Sequence, residues 1–361
     1  MHFQILLWVV ASVLLIASCA PSRNPQTPGV DQVTNAPLTI SPLTAVPPIE
    51  DYGCYRPYGE VSIWNVPLDW SKARFHPKSD AMMDAFFKSD SWIGADTSRY
   101  AANIYFVTNK TPLRPVTLWV KRSFRNAIDD FSVQFGEPGA TVWVPLPQDA
   151  QPAPGTDGEL VVINQDTGEE WGVMNGEIDN QGQWYAGGVY RYHIQNSGIP
   201  PKGFAHRGAG IGSFAGIVRP CEVERGYIGH AVTIAYDSPC APEVCQANNW
   251  PAVVPPFTKT DGEGRWQFDI PEGARLVIRP EIPKNEIAKA CSGVKGCIVW
   301  VLNMQEYGGF IVDNSGHPKT YAEGDATANW DNNVWSAGML RNIPPSWYAV
   351  IDWNYPSTTL R

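Results

Sequence analysis

The sequence predicts an all-β protein, a mostly antiparallel β-sandwich or jelly roll with two short helical insertions. Two observations carry this. The 361 residues hold 32 Gly and 32 Pro but only 17% charged residues, a composition that makes many turns and few long, solvated helices. Short apolar runs recur between clusters of Gly, Pro, Asn and Asp, with no self-similarity at a solenoid or propeller period.

The elements follow in order. Residues 5–17 (ILLWVVASVLLIA) form an apolar run, short for a membrane span and placed where a signal h-region belongs. It ends in Ile16-Ala17-Ser18-Cys19, which resembles the lipobox of bacterial lipoproteins. That resemblance implies a signal peptide over residues 1–18, a lipid on Cys19, and an extracytoplasmic protein anchored to a membrane of the cell envelope. Residues 19–50 are rich in Pro, Thr and Ser without apolar periodicity and read as a flexible tether. Residues 51–361 are read as a single β-sandwich domain.

Within that domain, Ser79-Asp80 cap a short helix whose apolar face is Met82, Met83, Phe86 and Phe87. Strands are expected at 103–108, 116–121, 141–146 and 159–164. The last turns through Gln165-Asp166-Thr167-Gly168 into 169–173 as a hairpin. Further strands are expected at 183–192, 227–236, 274–279 and 309–313, with a second helical segment at 283–289 and 298–306. Alternation through 227–236 places Ile228, His230, Val232, Ile234 and Tyr236 on one face. Arg219-Pro220 disfavours regular strand, so Glu222 and Glu224 belong on a helical turn or loop.

Beyond Cys19 six cysteines remain: Cys54, Cys221, Cys240, Cys245, Cys291 and Cys297. An even number in an exported chain favours disulfides. Cys240 with Cys245 and Cys291 with Cys297 close small loops, leaving Cys54 with Cys221. A cysteine metal site would want paired C-x-x-C spacing, which is missing, so no metal is expected. No cofactor is expected either: Gly208, Gly210 and Gly212 lack dinucleotide-loop spacing, and Asp325–Asn333 lacks the spacing of a calcium loop. The formal charge of −9 argues against a nucleic-acid partner. Gly212-Ser213-Phe214-Ala215-Gly216 misplaces the serine of a nucleophile elbow by one position.

The mixture of aromatic and acidic residues points to carbohydrate. Trp171, Trp184, Tyr185 and Tyr190 flank Glu169, Glu170, Glu177 and Asp179, and Trp330, Asp331 and Trp335 repeat the pattern. Indoles stack on the apolar faces of sugars while carboxylates bond their hydroxyls; buried tryptophans in a core are the competing account. Glycoside hydrolysis needs two facing carboxyl groups, and Glu222, Glu224, Asp261, Glu272 and Asp313 are the candidates. The leading expectation is a glycoside hydrolase acting on a polysaccharide or oligosaccharide. Glu222, His230, Asp261 and Asp313 would stand nearest the chemistry, and Arg207, Lys259, Trp171 and Trp184 would bind substrate. One alternative is a polysaccharide lyase, with His230 or His206 as base, Tyr227 or Tyr236 as proton donor, and Arg207, Arg219 and Lys259 neutralising a uronate. Another is a noncatalytic carbohydrate-binding or envelope-associated lipoprotein. Oligomeric state is left open.

Several segments together resemble a family of secreted, largely uncharacterised bacterial proteins that read RG...G...GLIRP.E...GRIDHAL. They are Arg207-Gly208, Gly216-Ile217-Val218-Arg219, Glu222, and Gly226 with Ile228, His230 and Ala231. Further matches are Ser62-Ile63-Trp64-Asn65, Pro154–Gly158, Lys259–Gly262, Pro271–Arg275 and Tyr307–Asp313. The resemblance spans roughly residues 55–350 and implies a secreted all-β fold. It delivers no mechanism, and Gly229 stands where the family has Asp.

Overall fold

The computed structural model describes residue 54 and residues 56–119, 139–201 and 205–354. Cys19, the expected signal peptide and tether, and Val120 and Lys121 at the end of one expected strand lie outside the described residues. In chain order the elements are α1 (Ser79–Phe86), β1 (Gly94–Asp96), β2 (Asn103–Val107), β3 (Leu113–Leu118), β4 (Thr141–Pro145), β5 (Leu160–Asn164), β6 (Glu169–Met174), β7 (Glu177–Ile178), β8 (Trp184–Ala186) and β9 (Gly188–His193). There follow α2 (Pro220–Arg225), β10 (Val232–Tyr236), α3 (Pro242–Ala247), β11 (Arg275–Ile278), α4 (Lys284–Ala290), α5 (Lys295–Glu306), β12 (Gly309–Asn314), β13 (Lys319–Tyr321) and β14 (Tyr348–Val350).

The strands make three sheets: a six-stranded one ordered β1-β13-β10-β12-β11-β14, and two four-stranded ones ordered β2-β5-β6-β9 and β4-β3-β8-β7. The all-β class holds. Antiparallel pairs predominate, but every sheet contains a parallel ladder: β1 with β13, β10 with β12, β2 with β5, and β3 with β8. The layering goes beyond two sheets because β5 is apolar on both faces. Leu160 and Val162 join Val116, Val142, Trp171 and Trp184 between the two four-stranded sheets. Val161 and Ile163 turn the other way, onto Phe214, Ile217, Ala235 and Tyr321 beside the six-stranded sheet. A strand buried on both sides reads as a continuous apolar run, as Leu160–Ile163 does. On its far side the six-stranded sheet is covered by α1, α4 and α5, whose Met82, Phe86, Ile287, Trp300 and Met304 pack against Val232, Ile234, Leu276 and Ile278.

The hairpin expected around Gln165–Gly168 is present, with Leu160 opposite Val173 and Ile163 opposite Glu170. The helices expected at 79, 283–289 and 298–306 form as α1, α4 and α5. The helical turn or loop expected to carry Glu222 and Glu224 forms as the six-residue α2, and a second six-residue helix, α3, is additional; each begins on a proline at its first turn, where the missing N–H costs nothing. The strand expected over 227–236 is confined to Val232–Tyr236. Gly229 has φ 81, a left-handed conformation outside regular strand geometry, and Ile228 and His230 precede the strand rather than lying on it. The run 183–192 is split at Gly187 into β8 and β9.

The disulfides are Cys54–Cys221, Cys240–Cys245 and Cys291–Cys297, the pairing the spacing suggested. Three disulfides mark the folded part as belonging to an oxidising, extracytoplasmic compartment. Among the described residues no helix is long and apolar enough to cross a membrane.

Candidate functional site

Three carboxyl groups from separate parts of the chain converge beside Gly208. Asp313 lies on β12, where the register with β10 jumps: Ile234 faces Ile311, but Ala235 faces Asp313. Val312 is the extra residue of a bulge, a device that re-aims side chains at the ends of ladders. Glu272 precedes β11 and bridges Val253. Asp261 stands on the loop tied down by the Cys240 to Gly264 bridge, and its N–H donates to Glu272 Oε2 at 3.1 Å. A side chain at position 208 would press directly on Asp261 Oδ1 and Glu272 Oε1. The glycine thus leaves the space in which the two carboxyl groups meet.

A charged support lies next to this group. Arg207, buried, puts Nη2 2.8 Å from Glu159 Oε2 and Nη1 3.3 Å from Asp313 Oδ2. Its guanidinium lies 4.0 Å from the ring centre of Tyr321, whose hydroxyl donates to Asp313 Oδ2 at 3.4 Å. Ser213 Oγ donates to the other oxygen of Glu159. Lys259 Nζ donates to the His206 carbonyl at 3.0 Å. Behind it, Tyr58 and Tyr190 donate to buried Glu170 beneath Gly212.

The electrostatics are those of acids with too few cations. Burial, then the neighbouring Asp313, pushes the Asp261 carboxyl up to about 7, although Asp261 keeps an exposed surface among the surrounding protein atoms. Burial and the adjacent Asp261 carry Glu272 well above the carboxylate range. Asp313 is also raised by burial, which Arg207 only partly offsets. Burial likewise holds His206 neutral, its pKa well below the usual value. Asp261, which reaches the surface, and buried Glu272 hold their protons as a pair, and a carboxyl of that pair still protonated near neutrality can give a proton to a bound ligand.

The structure separates the expected site residues into two groups. Asp261, Asp313, Arg207 and Lys259 come together. Glu222 and His230 lie elsewhere, off the opposite end of β10 from Ala235 and its partner Asp313. There Glu222 Oε1 meets Arg219 and lies 3.1 Å from His230 Nε2, and its Oε2 accepts the Arg219 N–H at 2.9 Å. His230 Nδ1 is 2.9 Å from the Ala231 carbonyl. Both ring nitrogens face acceptors and the ring is 1% exposed, so it has no edge for a substrate. Burial would raise Glu222, but Arg219 and then His230 outweigh it and hold the carboxyl at about 2. This cluster closes α2, whose N-terminus Glu222 caps and whose end Gly226 terminates at φ 82.

Trp171 and Trp184 are core residues, 7% and 3% exposed between the two four-stranded sheets, and present no open face for stacking. Trp335 is buried as well, stacked on half-buried Trp330 at 5.0 Å. The exposed indoles among the described residues are Trp143 and Trp266. Glu272 is nearest Asp261 and was legible as a candidate acid; Glu159 and Ser213 were not. Their only sequence signal is position, at the start of β5 and within the glycine-rich stretch.

Among the described residues no group of His, Cys, Asp and Glu is arranged to hold a metal ion. No family model matches the chain, no curated protein matches its sequence, and no solved structure matches its fold.

Proposed function

We propose that the chain is a lipid-anchored glycoside hydrolase of the cell envelope, cleaving a polysaccharide by acid/base catalysis at Asp261 and Asp313. The observation that carries this reading is the exposed Asp261 carboxyl, raised to about 7 beside buried Glu272. In the proposed reaction Asp261 delivers its proton to the glycosidic oxygen as the bond to the anomeric carbon breaks. Asp313, 18% exposed and oriented by Arg207, faces the positive charge that develops on the sugar and accepts a proton from the incoming water. One water is consumed and one reducing end appears; Asp313 releases the proton it took to solvent, and solvent returns one to Asp261. Arg207 acts by holding Asp313, and Lys259 by fixing the 206–208 backbone. The lipobox at Cys19 and the resemblance to secreted bacterial proteins agree with this compartment.

The test is incubation of the full-length protein with neutral and uronate-containing polysaccharides, following reducing ends and the absorbance of unsaturated uronates. Reducing ends without the chromophore, lost in Asp261→Asn, are expected. Both signals together would replace the hydrolase with a lyase, and binding without cleavage would leave a carbohydrate-binding lipoprotein.

A further inference from the structure

Arg207 stands between two carboxyl groups of unequal access. Its Nη2 lies 2.8 Å from Glu159 Oε2 and its Nη1 3.3 Å from Asp313 Oδ2. Glu159, directly before β5, is 2% exposed, whereas the Asp313 side chain is 18% exposed. Ser213 Oγ donates to Glu159 Oε1, so both oxygens of Glu159 are engaged within the protein. Nε of Arg207 meets no acceptor among the described residues, and the Tyr321 ring centre lies 4.0 Å from the guanidinium. The orientation of the fork is therefore set from its Nη side and by that ring. A guanidinium can bind one carboxylate through two parallel bonds, the stronger arrangement. Here the fork is divided, and the shorter contact goes to the acid that the proposed reaction does not use.

We propose that Glu159 is a positioning residue: by anchoring Arg207 it limits Asp313 to a single long contact, which leaves Asp313 basic enough to take a proton from water. The inference rests on the reading of Asp313 as the base, but its first consequence is measurable without a substrate. Arg207 and Lys319 face Asp313 and favour its ionised form, as do the Gly208 N–H and the Tyr321 hydroxyl. Asp157 and Glu159 face it with negative charge, and Asp261 and Glu272 lie beside it holding their protons as a pair near neutrality. Burial is the largest push on Asp313 and raises it, and the cations offset this only in part. Replacing Glu159 by an amide removes one negative neighbour and frees the fork for Asp313. Both changes favour the aspartate ion.

The experiment follows aspartate carboxyls by carbon NMR titration of the full-length protein, labelled at the aspartate side-chain carboxyl carbon, with Asp313→Asn and Asp261→Asn to assign the signals. In Glu159→Gln the Asp313 carboxyl is expected to titrate about one pH unit lower, about tenfold in proton affinity, while Asp261 keeps its titration at about 7. Asp261 is the control for a loosened site: burial is the main push on it, so lost packing would lower it together with Asp313. An unmoved Asp313, or both acids lowered together, would overturn the inference. Should the amide variant fail to fold, Glu159→Asp keeps the charge but withdraws it from Nη2 by one methylene. A fall of about threefold in the proton affinity of Asp313 is then expected, and none would overturn the inference. If the wild type cleaves, the acid limb of its pH-rate profile should shift down by the same amount in Glu159→Gln, with the alkaline limb in place. An acid limb that stays while the carboxyl shifts would overturn the inference, since Asp313 would not be the base. A wild type that cleaves nothing would overturn the hydrolase reading, while the titration still decides whether Glu159 acts on Asp313 through Arg207.

Discussion

Two clusters of the same residue types lie toward opposite ends of β10, and their chemistry runs in opposite directions. Around Glu222 basic groups converge on one carboxyl: Arg219 meets Oε1, Arg225 Nη2 lies 3.9 Å and His230 Nε2 3.1 Å from it, and the carboxyl is held at about 2. Around Asp261 the acids outnumber the cations, and the carboxyl rises to about 7. Glu222 is wholly buried, whereas Asp261 keeps an open surface. Burial pushes both carboxyls up; at Glu222 Arg219 and then His230 outweigh it, and at Asp261 Lys259 does not. The Glu222 cluster closes a helix, while the Asp261 cluster would, on the proposed reading, hold a proton for a ligand.

That contrast can be broken most forcefully at its stable end. Glu222→Ala should cost about 3–5 kcal/mol in the denaturant midpoint at neutral pH, because it strips Arg219 of the carboxylate it is buried with. The wild-type pH dependence has a defined sign. Glu222 is depressed in the fold, so its contribution is complete above the ordinary glutamate value and is lost as pH falls toward about 2. A stability curve flat between neutrality and pH 2 would contradict the assignment. Removing the Cys54–Cys221 disulfide, which joins residues 167 apart and anchors α2, should cost about 2–5 kcal/mol by the same readout.

At the other cluster, stability and activity should move in opposite directions. Asp261→Asn is expected to lower reducing-end release by about 100- to 10,000-fold, the range of a lost general acid. It should also raise the melting temperature, and more at pH 8 than at pH 5. The sign follows from the raised pKa: the fold disfavours the ionised carboxyl, a penalty that grows as pH rises from the ordinary aspartate value to about 7 and then stays constant. Activity of the wild type should fall above about pH 7 as the same proton is lost. A melting temperature lowered equally at both pH values would mark Asp261 as a structural residue.

The smaller effects sharpen the geometry. Gly208→Ala places a methyl group against Asp261 and Glu272 and should destabilise by about 1–3 kcal/mol, as overpacking does, while impairing activity. Gly316→Ala meets nothing within 4 Å and should stay within about 0.5 kcal/mol of wild type.

Much of the fold was legible in the sequence because its signals are local. The Gln165–Gly168 turn, the helix after Ser79 and the short cysteine spacings all act over a few residues, and each reappears in the structure. The layering was not legible, since the two-sided burial of β5 identifies neither partner sheet. The strand expected at 227–231 failed on a single left-handed glycine, and His230 moved with it from a strand face to a buried position ahead of the strand. In the site, Asp261, Asp313, Arg207 and Lys259 were readable by residue type, but their convergence depends on the β10–β12 bulge. Trp171 and Trp184 misled because period-two patterns place an indole on one face or the other without saying which face is covered.

The most direct test is a carboxyl titration by infrared difference spectroscopy on the wild type and Asp261→Asn. The account expects several carboxyl groups titrating near pH 7 in the wild type, Glu170 and Glu323 among them, and one of that set, Asp261, missing from the variant. A wild-type spectrum with no Asp261-dependent carboxyl above pH 5 would contradict it.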